Sequence, residues 1–192
     1  MQTEFEAMFI DINPEEIINS ISKNSGKLVK EKYTQIREVF DFPEGHHIQN
    51  GFIRVRKESN KTTMTIKVME SNNQISGQKE LELIIDDFEK GSQFLSFLGA
   101  KQRSKQVNQR QLFKLNNCEI MIDYWPFLNP IIEIEGPNEK EVVNTCKLLD
   151  LDYSKAIFDS IDYVYAKKYN KTKQDINQTP EISFEIANPF ID

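Results

Sequence analysis

Excess positive charge is the first thing this chain lacks. Its 24 lysines and arginines face 30 aspartates and glutamates, for a net charge of −6. That balance argues against a general nucleic-acid binder, which grips phosphate with a basic surface. Long apolar runs are also missing. None approaches the roughly 20 residues a membrane span needs, and the acidic N-terminal stretch has no signal-peptide pattern. No membrane partner and a cytoplasmic location are therefore expected. Cysteine is scarce: Cys118 and Cys146 lie far apart without Cys-x-x-Cys spacing, so the expectation is two reduced, buried thiols. His46 and His47 are adjacent in a Pro-Glu-Gly-His-His loop and read as solvated rather than as metal ligands. There is no internal repeat and no low-complexity linker. At 192 residues the chain suffices for one domain with a real core, with a second full domain not expected.

What the chain has is strands. Alternating apolar and polar residues mark extended segments at 3–9, 28–42, 51–57, 62–69, 79–85, 103–115, 119–124 and 131–135. Asn60-Lys61 and the stretch around Asn72 supply turns. Helices are predicted from Asn13, with Pro14 at the first helical position, to about Lys23, and from Asp86-Asp87 to Gly99. The second helix carries an apolar stripe of Phe88, Phe94, Leu95 and Leu98. A third helix runs from Asn138 to Leu149 and a short aromatic one covers 161–169. The expected fold is α+β: an eight-stranded antiparallel closed β-barrel, a tunnel, with helices packed outside. Residues 1–170 form the barrel domain, and 171–192 form a tail packed on it through Ile182, Phe184, Ile186 and Phe190.

Charge placement on these strands carries the chemistry. Glu4 and Glu6 sit two apart on one strand, as do Glu133 and Glu135 on another, so each pair presents two carboxylates on one face. Adjacent like charges destabilise a sheet unless something offsets them, and a divalent cation with oxygen ligands does so economically. A single such pair is what any strand with one wet face produces. Here, however, the doublets recur with one sign each: Arg54 with Arg56, Glu80 with Glu82, Glu119 with Asp123. Helices need apolar strand faces to cover, which turns the charged faces inward. A charged barrel interior is costly unless water, ions and a charged ligand fill it. A triphosphate suits that interior, its oxygens gripped by Arg and Lys and its remaining charge neutralised by Mg²⁺ or Mn²⁺.

These segments together resemble the CYTH superfamily of triphosphate tunnel metalloenzymes, most closely its class IV adenylate cyclase branch. The resemblance rests on Glu4-Phe5-Glu6, Gly51-Phe52-Ile53-Arg54-Val55-Arg56, Thr65-Ile66-Lys67 and Gln78-Lys79-Glu80-Leu81-Glu82. Arg110, Ile122-Asp123-Tyr124-Trp125-Pro126, Ile132-Glu133-Ile134-Glu135-Gly136-Pro137 and Pro180-Glu181-Ile182-Ser183-Phe184-Glu185 complete it. It implies metal binding by Glu4, Glu6, Glu133 and Glu135, and catalytic roles for Glu133, Glu135 and Asp123. It implies substrate binding by Arg54, Arg56, Lys67 and Arg110, with Glu80, Glu82 and Lys105 as further candidates. Lys30, Lys32 and Lys101 are weaker ones. ATP or another triphosphate is the implied partner, and a homodimer is left open.

The chain departs from the family pattern in one place that matters. The motif is Glu-x-Glu-x-Lys, and Met8 stands at the lysine position, where a thioether has no proton to donate. Gln109 likewise stands where relatives often have a basic residue. The resemblance implies a cyclase that converts ATP to cyclic AMP and pyrophosphate. The same site suits a triphosphatase acting on inorganic, thiamine or nucleoside triphosphate. Met8 keeps open a binding module without turnover.

Overall fold

Strand alternation decides this architecture. The computed structural model describes residues 1–48, 50–71 and 73–191; Asn72 of the expected turn and the last tail residue, Asp192, lie outside them. Among the described residues eight strands close a barrel: β1 (Gln2–Phe9), β2 (Lys27–Asp41), β3 (Gly51–Lys57), β4 (Thr62–Met69), β5 (Gln78–Ile85), β6 (Lys101–Leu115), β7 (Cys118–Tyr124) and β8 (Ile131–Gly136). The order around the sheet is β2-β3-β4-β5-β1-β8-β7-β6, and β2 pairs with β6 to close it. All of these pairings are antiparallel. The closing seam is long, from Lys27 opposite Lys114 to Asp41 opposite Lys101, with register shifts that bend β2 around the barrel. Closure removes the unpaired edges that would otherwise invite aggregation.

Five α-helices lie outside among the described residues: α1 (Pro14–Lys23), α2 (Phe88–Phe97), α3 (Glu139–Leu148), α4 (Ile161–Tyr169) and α5 (Lys173–Asn177). The starts of α1, α2 and α3 follow the sequence signals. Asn13, Asp87 and Asn138 each accept a hydrogen bond from a backbone N–H of the first turn, at 3.1, 2.8 and 3.0 Å. Gly99 ends α2 in the left-handed region at φ +89. Short α5, opened by a Thr172 capping box, was not legible.

Most outward strand faces are apolar and covered, with the β5 face at Leu81 and Leu83 left exposed. Ala7, Phe9, Ile120, Ile122, Ile132 and Ile134 pack with Ile17 and Ile21 of α1 and Val142 and Cys146 of α3. Cys118 and Cys146 are free and buried in this layer. Phe40, Ile53 and Val55 pack under Phe88 and Leu95 of α2. Burial of each such side chain contributes about 1.5–3 kcal/mol. Gly91 lets α2 approach closely, since a Cβ there would stand 2.5 Å from Ile85 Cδ1. The predicted α2 stripe needs correction. Phe88, Gly91 and Leu95 form the buried face, whereas Phe94 and Leu98 are exposed, and Phe97 is 91% exposed. Helical spacing puts Phe94 and Leu98 one turn apart on a face rotated away from the barrel.

A third apolar cluster closes one end of the barrel. Met8, Trp125 and Ile131 meet Val164 and Tyr165 of α4, Ile176 of α5, and Ile182 and Phe190 of the tail. Tyr165 donates a hydrogen bond to the Pro126 carbonyl at 2.7 Å. The tail adds a two-residue strand, β9 (Glu181–Ile182), parallel to β6 beyond the point where β7 stops. Phe184 of the tail is exposed.

Candidate active site

The inward faces carry the charge and surround a cavity of about 430 Å³. Each strand contributes alternate residues: Glu4, Glu6 and Met8 from β1, Arg54 and Arg56 from β3, Lys67 from β4, Glu80 and Glu82 from β5, Arg110 from β6, Glu133 and Glu135 from β8. Thr63 and Thr65 are fully buried on the same side of β4, and Thr65 Oγ1 lies 3.4 Å from Glu82 Oε2.

In the ligand-free barrel these charges pair with one another. Arg54 Nη2 stands 3.6 Å from Glu80, Arg56 Nη2 3.5 Å from Glu82, and Lys67 Nζ 2.9 Å from Glu4. Arg110 donates to both oxygens of Asp123, from Nε at 2.7 Å and from Nη2, and to Glu133 at 2.6 Å. Asp123 and Glu133 hold that guanidinium charged far more firmly than usual, against the cost of burial. Burial and the neighbouring Arg56 push Arg54 down to about 10.

The carboxylates between β1 and β8 are overcrowded. Met8 lies opposite Glu133 and Glu6 opposite Glu135 in the register of the two strands. Burial and the nearby Glu133 push Glu6 up to about 8, and burial and Glu4 push Glu135 up to about 7. Glu6 lines the cavity and is half-buried. Among the described residues no three His, Cys, Asp or Glu side chains already converge as a preformed metal cluster. The donor chemistry nonetheless fits a hard divalent cation, because clustered carboxylate oxygens in excess of local positive charge are what such an ion neutralises.

The other sequence candidates fall in different places. Asp123 is fully buried, tied to Arg110 and Asn108, and does not line the cavity. Lys105 is exposed; alternation from Asn108 and Arg110 puts it on the outer face. Lys32 and Lys101 are exposed and also stay outside the lining, whereas Lys30 joins it. Gln109 lies on the face opposite Arg110, so its side chain takes no inward position from a basic residue.

Several lining residues were not site candidates in the sequence, among them Tyr33 and Arg37 of β2, Glu58 after β3, Lys61, and Trp125 after β7, which entered only as part of a family motif. Their signal was present, since Tyr33, Gln35 and Arg37 alternate against Thr34 and Ile36. Length hid it, because β2 is 15 residues long and its outer half is exposed.

A closed antiparallel barrel lined by arginine, lysine and glutamate defines a class: an enclosed polar tunnel shaped by charge rather than by an apolar pocket. The chain belongs to the CYTH domain family, whose model matches residues 16–156, and the barrel has the triphosphate tunnel fold. No curated protein matches the chain significantly. Solved structures share the fold at low identity. A putative adenylate cyclase from Vibrio parahaemolyticus superposes with a TM-score of 0.74 at 13% identity, covering 86% of this chain and 98% of that one. A Pyrococcus horikoshii protein gives 0.68 at 22%, covering 82% and 96%. A putative adenylyl cyclase from Hippeastrum, described as having a dominant triphosphatase activity, gives 0.55 at 12%, covering 90% and 97%.

Proposed function

We propose that the protein is a metal-dependent enzyme acting on a triphosphate held in the tunnel, first as a class IV-type adenylate cyclase forming cyclic AMP and pyrophosphate. The observation that supports this is the pairing inside the barrel. Arg54, Arg56, Lys67 and Arg110 are held beside carboxylates that a polyphosphate and a cation together can displace. Phosphate oxygens take the place of Glu80, Glu82 and Glu4 on the basic groups, and Arg offers bidentate donors. Glu4, Glu6, Glu133 and Glu135 would hold Mg²⁺ or Mn²⁺, which when bound supplies positive charge at the phosphoryl oxygens.

The chain's own residues then do three things. The arginines fix the phosphate chain in one alignment, which lowers the entropic part of the barrier. Asp123 orients Arg110 through its two hydrogen bonds, so its role is positioning. Glu135, pushed up to about 7 in the metal-free barrel by burial and Glu4, gives up its proton near neutral pH and so becomes available to hold the cation. The cytoplasm is the compartment we assign; among the described residues no helix is long and apolar enough to cross a membrane.

One observation favours hydrolysis as a second reading. Tyr33 lines the cavity, but the Lys30 ammonium lies 3.8 Å from its ring centroid, so that face is not free to stack a nucleobase. A substrate without a base loses nothing there. Incubation with ATP and Mg²⁺ or Mn²⁺ separates the readings. Cyclic AMP with pyrophosphate supports the cyclase and orthophosphate the triphosphatase. Binding without product identifies a module that has lost turnover. Activity that survives Glu133→Ala would overturn both enzymatic readings of this site.

A further inference from the structure

The plugged end of the tunnel holds two buried donors, Arg37 Nε and Trp125 Nε1, that no described residue satisfies. Arg37 on β2 is only 6% exposed, yet among the described residues its guanidinium makes no ion pair, and Asp123 and Glu133 act on it only from beyond contact. Its Nη2 donates to two neutral amides, Gln35 Oε1 at 2.9 Å and Asn108 Oδ1. Its Nε has no partner. Trp125, 4% exposed, lies beneath that guanidinium with its ring centroid 4.7 Å away, and its indole Nε1–H is also buried without a partner. Both residues line the cavity.

Each unmade bond at a buried donor costs about 1–3 kcal/mol, and a buried cation without a counter-charge costs more. The other tunnel arginines have carboxylates beside them; Arg37 has amides in contact, while Asp123 and Glu133 act on it from farther off and are themselves held by Arg110. Asp159 lines the same end, but Lys173 Nζ holds its carboxylate at 2.6 Å.

We propose that Arg37 and Trp125 form an oxyanion subsite that takes the terminal phosphoryl group of a polyphosphate chain inserted end-first into the tunnel. This inference rests on the triphosphate reading above and deepens it by giving the chain a direction. Met8 belongs to the same apolar cluster as Trp125, so Arg37 supplies from β2 the positive charge that β1 does not provide at this end. The subsite discriminates chain length: a triphosphate reaches it while gripped by Arg54 and Arg110, and a shorter chain gives up one set of contacts.

The test is calorimetric titration of the full chain, with Mg²⁺ present, using inorganic triphosphate, pyrophosphate and orthophosphate in turn. Trp125→Phe keeps the ring beneath Arg37 and deletes the donor, and Arg37→Met keeps bulk and deletes the charge. The expected result is triphosphate binding weakened by roughly tenfold or more in Arg37→Met and by a smaller factor in Trp125→Phe. Pyrophosphate affinity should change by less in both, so that the preference for the longer chain shrinks. Should Arg37→Met not fold, Trp125→Phe decides alone. If the wild type binds no triphosphate, the underlying reading has failed. If it binds and both variants match it, or lose all three anions equally, the subsite is wrong.

Discussion

Lys67 on β4 places its ammonium 2.9 Å from Glu4 Oε2 on β1, across the intervening β5. Against the cost of burial, Glu6 and Glu4 hold Lys67 above the ordinary lysine value, and Lys67 in turn draws Glu4 below the ordinary carboxylate value despite its burial. The basic and acidic halves of the tunnel lining thus meet at this pair. Replacing Lys67 with Met removes one charge-assisted phosphate contact of about 1.5–3 kcal/mol. Triphosphate affinity measured by calorimetry should fall roughly ten- to a hundredfold.

The crowded glutamates predict a pH dependence in metal-free protein. Glu6 and Glu135 have folded-state values of about 8 and 7, raised from the ordinary 4.5. Between those values the folded state holds protons that the unfolded chain releases. Stability therefore falls as pH rises from about 4.5 to about 8. Thermal unfolding should show a lower Tm at pH 8.5 than at pH 6, with a shallower slope in Glu6→Gln. Saturating Mg²⁺ or Mn²⁺ should flatten the slope too, because the cation favours the ionised carboxylates.

Arg110 is structural as well as a ligand candidate. Its removal leaves Asp123 and Glu133 in the barrel wall without their shared cation, and breaking a buried pair this way costs about 3–5 kcal/mol. Arg110→Ala should unfold at markedly lower denaturant than Arg54→Ala, whose partner Glu80 faces the cavity. Equal midpoints would contradict the bridging role.

The exposed face of α2 gives a contrast pair. Leu95→Ala should cost about 2–5 kcal/mol, as for a buried leucine. Phe97→Ser should change stability by about 0.5 kcal/mol or less. Urea denaturation of both variants checks the assignment of helix faces.

Met8→Lys probes the departure from the family motif. With Arg37 already at that end of the tunnel, the new lysine should lower the Tm of ligand-free protein and tighten triphosphate binding by less than about tenfold. A large gain in affinity would show that the methionine limits the site.

The eight strands, the closed barrel and four of the five helices were legible because each rests on a local signal: period-two alternation, an Asn or Asp cap, a Pro or Gly boundary, or, for α4, an aromatic run. The inward direction of Arg54, Arg56 and Lys67 followed from the same alternation once the helices needed the other face. Arg37 carried no site signal because it is a lone charge among polar neighbours, and Trp125 stood in a family motif without a role of its own. Only the closure of β2 onto β6 and the plug of α4 bring them together. Phe94 and Leu98 misled because apolar character marks a face without saying which way it turns. Lys105 is a weaker candidate that the resemblance implies, and one residue of register places it on the outer face.

On the proposed function this barrel takes a triphosphate together with a divalent cation. Calorimetric titration of the purified chain with inorganic triphosphate in Mg²⁺ tests it most directly. The expected result is saturable binding of one triphosphate per barrel, weakened in Arg54→Ala and weakened again when the cation is chelated. Absence of saturable binding with either Mg²⁺ or Mn²⁺, or binding indifferent to Arg54, would contradict it.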